Sequence, residues 1–186
     1  YPVTSLPSKK VFLMMARLLG DKGVREYVDA AKIVRLRFPD VTFQLAGYLD
    51  ENPSAVTADE LQTWINDGDI EYLGQIKSVQ SILKSCKYYV LPSYREGTPR
   101  SVLEALSIGR PIITTDVPGC RETVVHEKNG LLVPIKDPAT LANAMIRLLN
   151  EKDETIVKMA KESYLIAKNK YDINKVNQSM LNIMNL

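Results

Sequence analysis

The sequence predicts an α/β fold: a Rossmann-like, doubly wound parallel sheet of about six strands with flanking helices. Short apolar runs alternate with amphipathic stretches over residues 11–153. The runs are apolar at nearly every position, as strands buried on both faces are. The amphipathic stretches have helical spacing, which suits crossovers between parallel strands. Because such sheets bind ligands outside the carboxyl ends of their strands, the segments that follow the strands are the candidates for function.

Residues 1–10 contain two prolines and are predicted to be a linker. The six predicted strands are 11–16, 41–47, 70–74, 88–92, 111–116 and 130–134. The predicted helices between and after them are 24–38, 58–67, 79–86, 99–108 and 140–150. The first of these helices repeats apolar residues at 24, 27, 28, 31 and 34. Two more helical segments, 154–171 and 173–184, are expected to pack beside the sheet or to reach a neighbouring domain.

The segment REGTPRSVLE, residues 95–104, enters the fourth of these helices. Thr98 is predicted to be its N-cap and Pro99 its first residue, and Gly109 ends it. Gly97 is expected to allow a tight turn and a close approach of the backbone to a ligand.

Two carboxylates, Glu96 and Glu104, frame the start of this helix. One interpretation is a surface helix with an Arg100–Glu104 ion pair, worth a few tenths of a kcal/mol. The other is a helix N-terminus directed at an anionic ligand. The segment alone leaves both open.

The segment ARLLGDKG, residues 16–23, follows the first strand. Arg17 and Lys22 lie there beside the start of a helix, where two cations suit a diphosphate. A solvated turn with ordinary charges is the alternative. The segment is neither G-x-G-x-x-G nor a P-loop.

Other candidate residues give weaker signals. Asp67 and Asp69 precede a strand, at the amino edge of the sheet, and are predicted to form a turn rather than a metal site. His126, the one histidine, is predicted to lie in a surface loop, and no catalytic triad is indicated. Cys86 and Cys120 show no disulfide or metal spacing, which favours a reducing compartment.

Composition excludes some classes of partner. The net charge of +2 does not favour nucleic acid. No apolar run approaches the length of a membrane span, and no signal peptide pattern is present.

Taken together, four segments resemble one family: ARLLGDKG, YLGQ, LPSYREGTPRSVLEALSIGRPIITTDVPGCRETV and NGLLVP. They are similar to the donor-binding half of a GT-B glycosyltransferase, most of all to the large retaining group called family 4. The resemblance covers roughly residues 10–150. Each motif is weak by itself, but their order, in register with the strands, is specific.

The resemblance implies roles for residues after the first and fourth strands. Glu96 and Glu104, with seven residues between them, match the family's paired glutamates. The first then contacts hydroxyls of the donor sugar and the second holds the ribose. Arg17 and Lys22 match the basic pair that neutralises the diphosphate. Catalysis is expected to depend on Glu96, Arg17 and Lys22, with Glu96 orienting the donor rather than attacking it, and Glu104 is expected to bind the donor.

The resemblance also implies contacts through the backbone. Gly97 and Thr98 are expected to present N–H groups to the sugar and phosphates, and Val102 and Leu103 to lie near the phosphate and ribose. The base is expected near Gly74, Gln75 and Ile76, with Gly47 and Tyr48 close by.

For the activity, the resemblance implies transfer with retention of configuration, by front-face attack of the acceptor, without a metal or other cofactor. The expected donor is a UDP-sugar, and the expected acceptor is a glycan or lipid-linked molecule in bacterial capsule or O-antigen synthesis. An acceptor-binding domain is expected before Tyr1. The expected location is the cytoplasm, with any attachment at the inner face of the plasma membrane made through that domain.

Three other functions stay open from the sequence. One is a non-catalytic nucleotide-sugar-binding module, and another is a GT-B-like epimerase acting on the same donors. The third is a Rossmann cofactor enzyme, although its glycine-rich loop is not present in the sequence.

Overall fold

Six strands pair in parallel in the computed structural model, which describes residues 5–173, 175 and 177. They are β1 (Val11–Met15), β2 (Thr42–Ala46), β3 (Glu71–Tyr72), β4 (Tyr88–Leu91), β5 (Ile112–Thr115) and β6 (Gly130–Val133). Their spatial order is β3-β2-β1-β4-β5-β6. The predicted doubly wound sheet is therefore confirmed, and the strand order reverses between β1 and β4, where this architecture forms its ligand crevice.

Six helices flank this sheet within the described residues. They are α1 (Val24–Arg35), α2 (Ala58–Asn66), α3 (Val79–Ser85), α4 (Arg100–Ile108), α5 (Pro138–Asn150) and α6 (Asp153–Lys170). Helix α1 packs beside α5, and α4 packs beside α6. The prediction for 173–184 falls mostly outside the described residues.

Several predicted boundaries differ from the structure, and three of the differences have a clear local cause. Helix α1 ends at Arg35 rather than at residue 38, because Pro39 disfavours helical backbone at the residue before it. Strand β3 has two residues instead of five, since Gly74 turns the edge of the sheet away with φ +65°. Helix α4 begins at Arg100, and Pro99, with an extended ψ of 107°, is its N-cap in place of Thr98.

The core lies on both faces of the sheet at β1 and β4, and every residue of these two strands is buried. Phe12 stacks between Phe43 and Tyr88, with ring centroids 5.4 and 4.7 Å away. The hydroxyl of the buried Tyr27 donates to the carbonyls of Phe12 and Gln44. These contacts join α1 to the sheet and fix where the loops after β1 and β4 leave it. No helix within the described residues is long and apolar enough to cross a membrane.

Candidate functional site

The loops after β1 and β4 meet at the switch point through an ion pair. Lys22 closes a 3-10 turn, Gly20–Lys22, and its Nζ lies 2.7 Å from Oε1 of Glu96. The two side chains are only 17% and 16% exposed. The fold therefore brings together a predicted cation and the first predicted glutamate from 74 residues apart.

Backbone and hydroxyl groups hold these two loops in place. The N–H of Tyr94 donates to the carbonyl of Asp21 at 2.8 Å, and Ser93 Oγ donates to the same carbonyl at 3.2 Å. From the next strand, the hydroxyl of Thr115 donates to the carbonyl of Ser93. Below them, burial raises the pKa of the Cys120 thiol. The loop that carries Glu96 is thus supported from β1, β4 and β5.

A shallow pocket lies between the carboxyl ends of β1 and β2 and the start of α4, and its lining includes neither Lys22 nor Glu96. Its volume is about 150 Å³, below the roughly 300 Å³ at which small-molecule sites usually begin. Five predicted residues line it: Arg17, Gly47, Tyr48, Ile76 and Glu104. The pocket is large enough for only part of a nucleotide-sugar.

Glu104, the second glutamate, has features of both interpretations of its helix, the surface ion pair and the ligand site. Glu104 Oε1 accepts from Nε of Arg100 at 3.2 Å, as in a surface ion pair. Arg100 is 91% exposed, whereas Glu104 is 17% exposed and also lines the pocket. Across the pocket, Arg17 is half exposed and pairs with Asp50 at 3.3 Å. The pairing with Asp50 is one that sequence reasoning missed, since no motif contains it.

The residues predicted to contact a ligand through their backbone lie in two different environments. Gly97 and Thr98 are exposed, and a Cβ on Gly97 would meet no atom within 4 Å, so the space around Gly97 is open. The backbone bends at Gly97 and Thr98, although the φ of Gly97 is not left-handed. The N–H groups of Val102 and Leu103 both donate to the carbonyl of Pro99, at 3.0 and 3.1 Å. Val102 is buried and Leu103 lines a separate pocket between α4 and α6, so neither residue lines the pocket that Glu104 lines.

The segment predicted to read the base lies at the far side of the pocket. Gly47 has φ +152°, and a Cβ there would lie 1.8 Å from the carbonyl oxygen of Ala16, so the ends of β1 and β2 approach closely only with glycine. The N–H of Gly47 donates to the carbonyl of Gly74 at 2.9 Å. Gln75 is exposed and Ile76 reaches the pocket wall. Gly47, Gly74 and Ile76 therefore lie together.

The weaker candidates lie outside this site. Asp69 precedes β3 at the opposite edge of the sheet and pairs with Lys32 at 3.3 Å. His126 is half exposed, and its Nδ1 accepts from the N–H of Leu132. Within the described residues no group of three acidic, histidine or cysteine side chains is arranged to hold a metal.

Comparison with known proteins identifies the family of this chain. The family model described as "Glycosyl transferases group 1" matches residues 9–151. The chain belongs to this family. One relative is the N,N'-diacetylbacillosaminyl-diphospho-undecaprenol alpha-1,3-N-acetylgalactosaminyltransferase of Campylobacter jejuni, to which the chain is 34% identical over 179 residues. The alignment covers 96% of this chain and 45% of that protein. The chain is 30% identical over 148 residues to the UDP-Gal:alpha-D-GlcNAc-diphosphoundecaprenol alpha-1,3-galactosyltransferase of Escherichia coli, covering 76% and 37%.

Solved glycosyltransferase structures share the fold. The match to TarM has a TM-score of 0.85 at 20% identity and covers 100% of this chain and 37% of that one. A C-terminal domain of a group 1 glycosyltransferase from Francisella tularensis matches with a TM-score of 0.80 at 23% identity, covering 93% and 96%. The fold is therefore that of one Rossmann-like half of a GT-B glycosyltransferase. The chain spans less than half the length of the two curated glycosyltransferases named above.

Proposed function

We propose that this chain is the donor-binding domain of a retaining glycosyltransferase. The whole enzyme would transfer a sugar from a UDP-sugar to a glycan or lipid-linked acceptor in bacterial surface polysaccharide synthesis. The observation that carries the proposal is the Lys22–Glu96 pair at the switch point of the sheet, in a chain that belongs to the glycosyl transferases group 1 family. The names of the Campylobacter and Escherichia relatives, which specify transfer to diphospho-undecaprenol-linked sugars, support the acceptor class.

In this proposal the cations serve the diphosphate. Lys22 lies at the helix end of the β1 loop, and Arg17 lies on the pocket wall with half of its side chain exposed. Negative charge builds on the leaving nucleoside diphosphate as the glycosidic bond to it breaks. Fixed cations stabilise that charge without a metal, because they are in place before the reaction begins.

The carboxylates serve the hydroxyl groups. A carboxylate accepts two hydrogen bonds from a vicinal diol, and bonds to a charged acceptor are the stronger kind. Glu96, which accepts a hydrogen bond from Lys22, is the proposed partner of the sugar hydroxyls. Glu104, which lines the pocket with Tyr48 and Ile76, is the proposed partner of the ribose hydroxyls.

The acceptor is proposed to bind to a second domain, as the resemblance to GT-B enzymes implies. This chain by itself is then expected to bind nucleotide weakly and to transfer nothing. We place the enzyme at the inner face of the plasma membrane, where a diphospho-undecaprenol-linked acceptor would be reached.

The test is a titration of UDP, GDP and ADP into this chain, followed by NMR with EDTA present. We expect saturable UDP binding that survives the chelator. Glu104→Ala is expected to weaken UDP binding at least about tenfold, because it removes a charged hydrogen-bond acceptor from the ribose. Glu162→Ala is the matched control, since Glu162 lies on α6, outside the pocket, and pairs there with Lys128.

Two results would contradict the proposal. One is a folded chain that binds none of the three nucleotides. The other is UDP binding that Glu104→Ala and Glu162→Ala leave equally strong. A preference for GDP would leave the proposed binding site unchanged and would make the expected donor a GDP-sugar instead of a UDP-sugar.

A further inference from the structure

A third loop, after β5, packs against the loop that carries Glu96. Gly119 in this loop is buried and has φ +84°. A Cβ added there would lie 2.2 Å from the carbonyl oxygen of Glu96 and 2.3 Å from that of Gly97. The β5 loop is therefore a seat for the backbone of residues 96–97, and the position of Glu96 depends on how Gly119 is held.

One side chain holds Gly119. Oε2 of Glu122 accepts from the N–H of Gly119 at 2.6 Å. Glu122 lies in the 3-10 turn Arg121–Thr123, and its side chain reaches back over the loop to close it. Because the acceptor is a charged carboxylate, this hydrogen bond is of the stronger kind and helps to fix the turn.

The end of α6 anchors the backbone of Glu122 in turn. Lys170 Nζ and the hydroxyl of Tyr171 each donate to the carbonyl of Glu122 at 2.7 Å. The carbonyl is held by the last helix and the carboxylate holds Gly119. A continuous set of contacts thus runs from the end of α6 to the Glu96 loop.

We propose that Glu122 is a positioning residue for Glu96. It clamps Gly119 in its left-handed turn, and that turn holds residues 96–97 where the Glu96 carboxylate meets Lys22. The inference rests on the proposed function for its consequence: loosening the seat would affect the sugar of the donor, which Glu96 receives, more than the nucleoside, which lies at Glu104.

The first experiment compares amide spectra of the free chain, so it needs no ligand. Glu122→Ala is expected to shift the amide signals of Glu96 and Gly97, although these residues are far from it in sequence. Glu122→Gln is expected to leave them near their original positions, because its amide oxygen still accepts from Gly119. Glu162→Ala, on α6 beside the same region, is the matched control and should shift neither. Because Glu122 is exposed, both of its variants are expected to fold.

The second experiment measures the affinities for UDP and for UDP-galactose in each variant, and takes their ratio. Glu122→Ala is expected to lower the preference for the sugar-nucleotide by about three- to tenfold, the effect of one weakened hydrogen-bond contact. UDP binding itself should change less, and Glu122→Gln should restore the ratio. If Glu122 had a role in folding alone, its loss would weaken the binding of both ligands equally.

Unchanged Glu96 and Gly97 signals in Glu122→Ala would overturn the inference, and so would an equal loss of affinity for both ligands. Failure of the unaltered chain to bind UDP would count against the proposed function instead. The spectra of the free chain would still decide whether Glu122 positions residues 96–97.

Discussion

Lys22→Met removes the cation at the switch point while keeping most of the volume of the side chain. Exposed ion pairs contribute about 0–1 kcal/mol, and breaking a fully buried pair costs about 3–5 kcal/mol. The Lys22 and Glu96 side chains are 17% and 16% exposed, so we expect a loss of about 2 kcal/mol in the free energy of unfolding. Most of this loss comes from leaving the Glu96 carboxylate partly buried without its partner.

Binding should respond separately from stability. If Lys22 contacts the diphosphate, its loss removes a charge-assisted contact of about 1.5–3 kcal/mol and weakens UDP binding by about ten- to a hundredfold. The double variant Lys22→Met/Glu96→Gln no longer leaves a buried charge unpaired. It should recover about half of the lost stability and none of the lost UDP affinity.

The stability assay is urea unfolding followed by the fluorescence of Trp64, the one tryptophan, and the binding assay is the UDP titration. Lys128→Met is the control, since its pair with Glu162 is exposed and should matter by no more than about 0.5 kcal/mol. The reasoning is refuted if Lys22→Met binds UDP as tightly as the original chain, or if the double variant regains affinity along with stability.

Two further predictions concern the stability of the fold. Gly119→Ala should cost about 2–4 kcal/mol of stability, because its Cβ would meet the backbone of residues 96–97 and its φ is left-handed, whereas Gly97→Ala should leave urea unfolding within about 1 kcal/mol of the original. Equal losses for the two glycines would contradict this. Hydrogen bonds from Arg25, and then from Thr57, hold the pKa of Glu60 at about 2, below its ordinary 4.5, so the stability that Glu60 contributes is full above pH 4.5 and is lost as the pH falls toward 2. Glu60→Gln should therefore destabilise the chain at pH 7 and less so at pH 3 in urea unfolding, and a gap that stays constant with pH would rule out this pairing as its cause.

The order and type of the elements could be predicted because each strand is a continuous apolar run and each helix has a clear period. Strand β3 shows where this fails. Residues 70–74 have strand composition, but an edge strand has a single neighbour, and the turn at Gly74 ends its pairing after Tyr72. The start of α4 shows another limit, since Thr98 and Pro99 both suit a helix start and the backbone at Pro99 decides between them.

The residues of the candidate site could likewise be predicted from the sequence, but the contacts between them could not. Glu96, Glu104, Arg17 and Lys22 could be proposed because a recurring motif marks their positions. The contacts between them could not, since a sequence does not state that residue 22 meets residue 96 rather than residue 104. Gly119 gave only the weak signal of a Pro-Gly turn after a strand, and its contact with Glu96 depends on the register of β4 and β5.

The free chain keeps its proposed site charges paired internally, and the pairing itself favours one class of ligand. Glu96 is held by Lys22, Glu104 is held by Arg100, and Arg17 also has an acidic partner. A phosphate that takes a cation leaves a carboxylate without its partner, and a sugar that takes a carboxylate leaves a cation without its own, so either alone loses part of what it gains. A nucleotide-sugar carries phosphates and vicinal diols in one molecule. It can take the cations with its phosphates and the carboxylates with its hydroxyls, so the partly buried Lys22 and Glu96 each exchange one partner for another. This supports a nucleotide-sugar rather than a free nucleotide as the ligand for which the site is built.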